Sequence, residues 1–201
     1  MRAVGSLPFR RWCKRFGCDV TCSEMIFAHD LLRSDAAEIG RLRRHSEEDI
    51  FGIQLTGAPD ELRRCARLLH ALPGFSFDFI DLNAGCPQDV AVNKRCGFSI
   101  AQGRRIRACL AELYVACRPF HTPVGVKTRI GDFNGESRLE ALFDRDLVDG
   151  TAELVTLHGR TARQRYQGTA DWEQLLAFRE KQKQTCPNLL LVGNGDIFDH
   201  Q

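Results

Sequence analysis

No apolar run in the sequence approaches the ~20 residues of a membrane span. The opening stretch, MRAVGSLPFRRWCKRFG, has no apolar core of the kind a secretory signal needs. The expectation is a soluble cytoplasmic or nuclear protein with no membrane partner. Net charge is only +2, too small to name a partner by itself. The GxGxxG, Walker A and HExxH patterns are all missing, so none of these ready-made phosphate or zinc sites is written in the chain. Zinc sites need tightly paired cysteines, usually with a second pair. The nearest approach here is Cys13, Cys18 and Cys22, with no histidine following at zinc-finger spacing, so no metal is expected. Low-complexity stretches, long linkers and internal repeats are also lacking.

What is present is an ordinary globular mix: 201 residues, 43% apolar and 27% charged. Nine cysteines is a high and odd count. In a reducing compartment they are thiols, and most are expected to serve as small core residues. Basic residues cluster locally: Arg2, Arg10, Arg11, Lys14 and Arg15, then Arg41, Arg43 and Arg44, then Arg160, Arg163 and Arg165. Such clusters are either solvated helix faces or a polyanion-binding surface.

Short β-rich runs alternate with helical patterns. Residues 19–25, 50–57, 77–85, 124–131, 153–160 and 188–195 read as strands. Residues 59–72 and 103–118 carry apolar stripes at helical spacing, as do 137–148 (Leu139, Leu142, Phe143, Leu147) and 171–184 (Trp172, Leu175, Leu176, Phe178). An opening helix places Phe9, Trp12, Cys13 and Phe16 on one face. Repeated strand–helix alternation means a parallel sheet with helices outside. An open doubly wound sheet and a (β/α)8 TIM barrel both satisfy it. Polar residues at the strand ends (Glu24, Gln54, Asn83, Lys127, His158, Asn194) favour the barrel, where such ends meet at one mouth. Six strands fall short of eight, so the expectation is a truncated barrel without its first and last strands.

The stretch DFIDLNAGCPQDV ends a strand on a Gly-Cys-Pro corner. Cys86 is thereby presented as an acid or nucleophile; Cys96, which no strand end presents, is the weaker candidate. Lys127 inside an apolar strand needs an anion nearby or a shifted pKa. His158 is followed by Gly159 and Arg160, which points to a ligand site. Gly193 and Gly195 around Asn194 allow backbone to approach a ligand closely. Gln54 is a strand amide that must find a partner. Amides, cations and open backbone on one rim suit a planar heterocycle carrying a phosphate.

Together, GSLPFRRWCKRFGCDVTCSEM, EDIFGIQLTGA, FIDLNAGCPQDV, VKTRIG, VTLHGRTARQRYQGTADW and LVGNGDI resemble the tRNA-dihydrouridine synthases, most closely the eukaryotic subtype acting on the variable loop. The resemblance implies a flavin-bearing TIM barrel that reduces the C5–C6 double bond of a tRNA uridine, with NADPH recharging FMN. It assigns Cys86 as the acid that protonates C5. It assigns Gln54, Lys127, His158, Asn194, Gly195 and Asp196 to FMN contacts, with Lys127 favouring the anionic reduced flavin. Asn83 falls near the target uracil, and Arg160, Arg163 and Tyr166 at the mouth where RNA passes. An ordinary thiol pKa near ~8.5 keeps a cysteine protonated at neutral pH, as an acid must be. The family's zinc fingers, its phosphate loop after the last strand and its C-terminal helical tRNA-binding domain are not found, and weak FMN retention is expected. Another flavin or phosphate-binding barrel enzyme acting on a small molecule, and a non-catalytic RNA-binding remnant, stay open as readings.

Overall fold

The computed structural model describes residues 4–101, 104–136 and 151–198. The chain divides into two compact units, residues 1–82 with 108–124, and residues 83–107 with 125–201.

In the first unit, helix α1 (Leu7–Arg15) precedes strands β1 (Val20–Cys22) and β2 (Ile26–Phe27), helices α2 (Ala28–Leu32) and α3 (Ala36–Gly40), strand β3 (Ile50–Thr56), helix α4 (Pro59–Ala71) and strand β4 (Phe79–Asn83). All pairings are parallel: β1 and β2 lie along one side of β3, and β4 along the other. The single strand expected over 19–25 is two short ones. Cys22 faces Gly52 while Ile26 faces Leu55, so three residues on one strand span two on its partner. That is a bulge. Ser23 repairs the interrupted ladder: its hydroxyl accepts the Gln54 N–H at 3.0 Å. Phe51, Ile53 and Leu55 of β3 are fully buried. Helix α4 buries the expected face: Leu62, Cys65, Ala66 and Leu69 are all buried. Pro59 opens that helix, and the Glu61 carboxylate accepts the Ala58 N–H at 2.9 Å, satisfying one of the amides a helix start leaves orphaned. Helix α6 (Arg104–Cys117) also follows its pattern, burying Ile106, Cys109, Leu110, Leu113 and Cys117.

Helix α1 inverts the expectation. Phe9, Trp12 and Phe16 are 48%, 57% and 84% exposed, while Arg10 is buried. Arg10 Nε donates to Glu48 at 2.7 Å, and its other nitrogens donate to the carbonyls of Gly5 and Arg43. Glu48 also accepts from the Thr21 hydroxyl and the His45 N–H, each at 2.7 Å. A buried charge pair is tolerated when further hydrogen bonds satisfy both ions, as here. Apolar periodicity cannot register a cation that reaches such a partner from the next helical position.

In the second unit, helix α5 (Asp89–Asn93) and a 3-10 turn (Gly97–Ile100) follow Asn83, and strands β5 (Val124–Arg129), β6 (Leu154–His158) and β7 (Leu190–Asn194) run parallel, with helix α7 (Trp172–Thr185) between the last two. Asp171 caps α7, accepting the Gln174 N–H at 2.9 Å. Leu175 and Phe178 point inward as expected, but Leu176 is 61% exposed, on the flank of the buried stripe. The stripe expected over 137–148 lies outside the described residues. Parallel strands separated by helices give an incomplete (β/α)8 barrel. No helix among the described residues is long and apolar enough to cross a membrane.

Candidate active site

Register builds the site in the second unit. Arg129, His158 and Asn194 stand side by side at the C-terminal ends of β5, β6 and β7. Residues in register on parallel strands share a face, and so do residues two apart. Lys127, two before Arg129, therefore joins them, and its Nζ donates to Asn194 Oδ1 at 2.9 Å.

The Gly-Cys-Pro corner is bound to β5 by its main chain. Ala84 N–H donates to the Lys127 carbonyl at 2.8 Å, and Arg129 Nε donates to the Gly85 carbonyl at 2.8 Å. Asn83 Oδ1 accepts the N–H groups of Gly85 and Cys86 at 3.2 and 3.0 Å, a side-chain-closed turn. The Cys86 carbonyl accepts the Phe98 N–H at 2.9 Å. Gly97 makes this possible. Its φ is +57°, and a Cβ there would sit 2.5 Å from the Cys86 oxygen. Cys86 itself is half-buried. By contrast, Cys65, Cys96, Cys109, Cys117 and Cys186 are buried core thiols, as expected. Burial pushes the Cys65 and Cys117 thiols up to about 12. The nine cysteines are all free. Among the described residues, no three His, Cys, Asp or Glu side chains cluster as metal ligands.

Arg160 is buried and forms two contacts to the Asp196 carboxylate, at 2.6 and 2.7 Å, with a further 2.7 Å bond to the Gly168 carbonyl. All three contacts come from the single nitrogen Nη2, so this is one charge-assisted contact shared between the carboxylate and the carbonyl, not a two-nitrogen fork. Asp196 also accepts the Ala170 N–H at 2.7 Å; that bond, followed by Arg160, holds its carboxyl below the usual range. Arg160 Nη1 lies 3.4 Å from His158 Nε2. A guanidinium only donates, so Nε2 accepts and the ring proton sits on Nδ1. Burial, then Arg129, Lys127 and Arg160, lower the His158 pKa to about 3, with Asp196 alone opposing. Gly195 (φ +112°) passes directly beneath that ring: a Cβ there would lie 2.8 Å from His158 Cδ2.

A neutral His158 makes a prediction. Its folded pKa lies below its unfolded one, so between about 6.5 and about 3 the unfolded chain holds the extra proton. This contribution to stability is complete above about pH 6.5 and lost as the pH falls towards 3. His158→Gln should flatten the stability-versus-pH curve across that window in urea melts. Nitrogen-15 spectra should show the wild-type ring neutral at pH 5.

The other expected residues divide. Tyr166 is 54% exposed; its ring lies 5.7 Å from the Arg129 guanidinium and 6.5 Å from the His158 ring. Arg163 is exposed, and its guanidinium donates to the Asn134 carbonyl at 3.4 Å. Gln54 belongs to the first unit, where its amide donates to Asp81 at 2.7 Å. Arg129 was not singled out by the sequence reading. It is buried and also donates to the carbonyls of Thr161 and Arg165, at 3.2 and 2.9 Å. Its spacing of two from Lys127 was the available signal, since alternate residues of a strand share a face.

A family model described as dihydrouridine synthase (Dus) matches residues 1–201. The chain belongs to the dihydrouridine synthase family. It is 39% identical over its whole length to a protein of Arabidopsis thaliana named tRNA-dihydrouridine(47) synthase [NAD(P)(+)]-like. Proteins of the same name from Oryza sativa and Homo sapiens are 41% and 39% identical, over 98% and 100% of the chain. The chain spans only 28–30% of the length of these relatives. In this family member, the strand-end row of Lys127, Arg129, His158 and Asn194 and the Gly-Cys-Pro corner lie in the same unit.

Proposed function

We propose that the chain carries the flavin-facing part of an enzyme that reduces the C5–C6 double bond of a tRNA uridine. The observation that carries this reading is the charge pattern around His158. Three cations, Lys127, Arg129 and Arg160, surround a neutral imidazole, and Asp196 is the carboxylate acting against them. Such a site favours an anionic ligand with hydrogen-bonding ring edges. The residues fit FMN: the Asn194 amide and Lys127 ammonium for ring edges, and His158 as a neutral hydrogen-bonding group packed on the Gly195 main chain. When bound and reduced by NADPH, the flavin supplies a hydride for C6 of the uracil.

The chain's own residues do the rest. Cys86 gives its thiol proton to C5, so that hydride and proton together saturate the double bond, and the thiolate recovers a proton from solvent. Asn83 and Arg129 hold the corner that aims Cys86. Arg160 and Asp196 act as positioning residues, fixing the turn beneath His158. Tyr166 and Arg163, both exposed, would contact the RNA.

Titration with FMN, followed by visible absorbance, tests the cofactor assignment. Lys127→Met removes a charge-assisted hydrogen bond of about 1.5–3 kcal/mol, so affinity should drop roughly 10- to 100-fold. Equal affinity in the variant would remove Lys127 from the flavin site. A chain that reduces a small enone with NADPH but leaves tRNA unchanged would favour a small-molecule enzyme instead.

A further inference from the structure

The exposed face of α1 is left unused by the site above. Pro8, Arg11, Trp12 and Arg15 line a cavity of about 230 Å³ there. Their spacing (i, i+3, i+4, i+7) puts them on one helical face. The Arg15 guanidinium lies 5.1 Å from the Trp12 ring centroid. Phe16 stacks on Trp12 at 6.3 Å with 28° between planes. The helix carries four basic residues and no acidic one. Two of the four are engaged, Arg10 with buried Glu48 and Lys14 with Asp49 at 2.8 Å. Arg11 and Arg15 are exposed on this face, beside the exposed rings of Trp12 and Phe16.

We infer that this face of α1 is a stacking platform for single-stranded RNA. Aromatic rings accept base faces without regard to sequence, and interleaved guanidiniums accept the phosphates between them. A protein partner would bury the rings equally well, but the two exposed arginines favour a polyanion. RNA-guided placement of a substrate loop would follow, although binding at α1 requires neither flavin nor Cys86.

The test uses the full chain and a labelled oligouridylate, without FMN or NADPH, so its outcome is independent of the reductase reading. Trp12→Ala should weaken binding about 10-fold, within the range for loss of one stacked base, and Trp12→Phe should restore most of it. Arg11→Gln with Arg15→Gln should lower the slope of log affinity against log salt by about 1.4, the value for two single-strand phosphate contacts. All these positions are exposed, and circular dichroism should show an unchanged fold. Unaltered affinity and salt slope in both variants would overturn the inference. So would a concentration-dependent dimer that Trp12→Ala dissolves while RNA affinity stays the same.

Discussion

Cys86→Ala should lower dihydrouridine formation in tRNA by about 10²–10⁴-fold, the usual contribution of a positioned proton donor. Oxidation of NADPH by the flavin should continue at its original rate. The split follows from geometry. The corner is held through the Cys86 main chain, whose N–H donates to Asn83 Oδ1 and whose carbonyl accepts the Phe98 N–H. Removing one half-buried sulfur leaves those bonds in place, so the arrangement of Lys127, Asn194 and His158 should persist. Only the step needing a proton on the uracil carbon is lost. Mass spectrometry of digested tRNA gives the first quantity and absorbance at the nicotinamide band the second. Wild-type dihydrouridine yield from Cys86→Ala would remove Cys86 as the acid. Loss of both activities would mean that the sulfur supports the flavin rather than the uracil.

Arg10→Ala should destabilise the fold by about 3–5 kcal/mol, the cost of leaving a buried charge without its partner. For a chain of this size the midpoint should fall by roughly 10 °C. Glu48 would then be buried without its cation, keeping the bonds from the Thr21 hydroxyl and the His45 N–H. The pH dependence should change sign. In the wild type, burial alone would raise the Glu48 pKa, but the bonds from Arg10, His45 and Thr21 outweigh it and hold the carboxyl below its usual 4.5. Its contribution is thus present above pH 4.5 and lost as the pH falls through the lowered value. Without Arg10, burial dominates and the folded pKa rises, so acidification above pH 4.5 should regain stability. Thermal melts between pH 4.5 and 7 measure this. A midpoint indifferent to Arg10→Ala would show the pair to be an incidental contact.

Much of the secondary structure was legible because single elements suffice to explain it. The stripe in α4 needs only its own spacing and a sheet to cover. The ends of β5, β6 and β7 show a charge or amide after an apolar run, which marks the rim of a parallel sheet whatever the register. Two elements misled. In α1 the sequence shows an apolar face, but the buried side chain is Arg10, whose partner Glu48 lies 38 residues away. In the segment 19–25, the bulge depends on how β3 is spaced opposite it. Neither fact is local, so periodicity could not contain it.

The candidate site shows the same division. Cys86, Lys127, His158 and Asn194 could be singled out one by one as odd residues at strand ends. Their roles could not. Arg160 read as a cation for RNA, yet its guanidinium is spent on Asp196 and the Gly168 carbonyl. Arg129 read as nothing, yet it fastens the cysteine corner.

The order of residues alone determined the alternation of strands and helices, and with it the parallel α/β class, because apolar spacing is a property of neighbouring positions. Only the folded arrangement decided which charges meet. Whether an arginine is buried, paired or free depends on groups brought from distant parts of the chain, and the energy of a charge is set by those groups and by the loss of water around it.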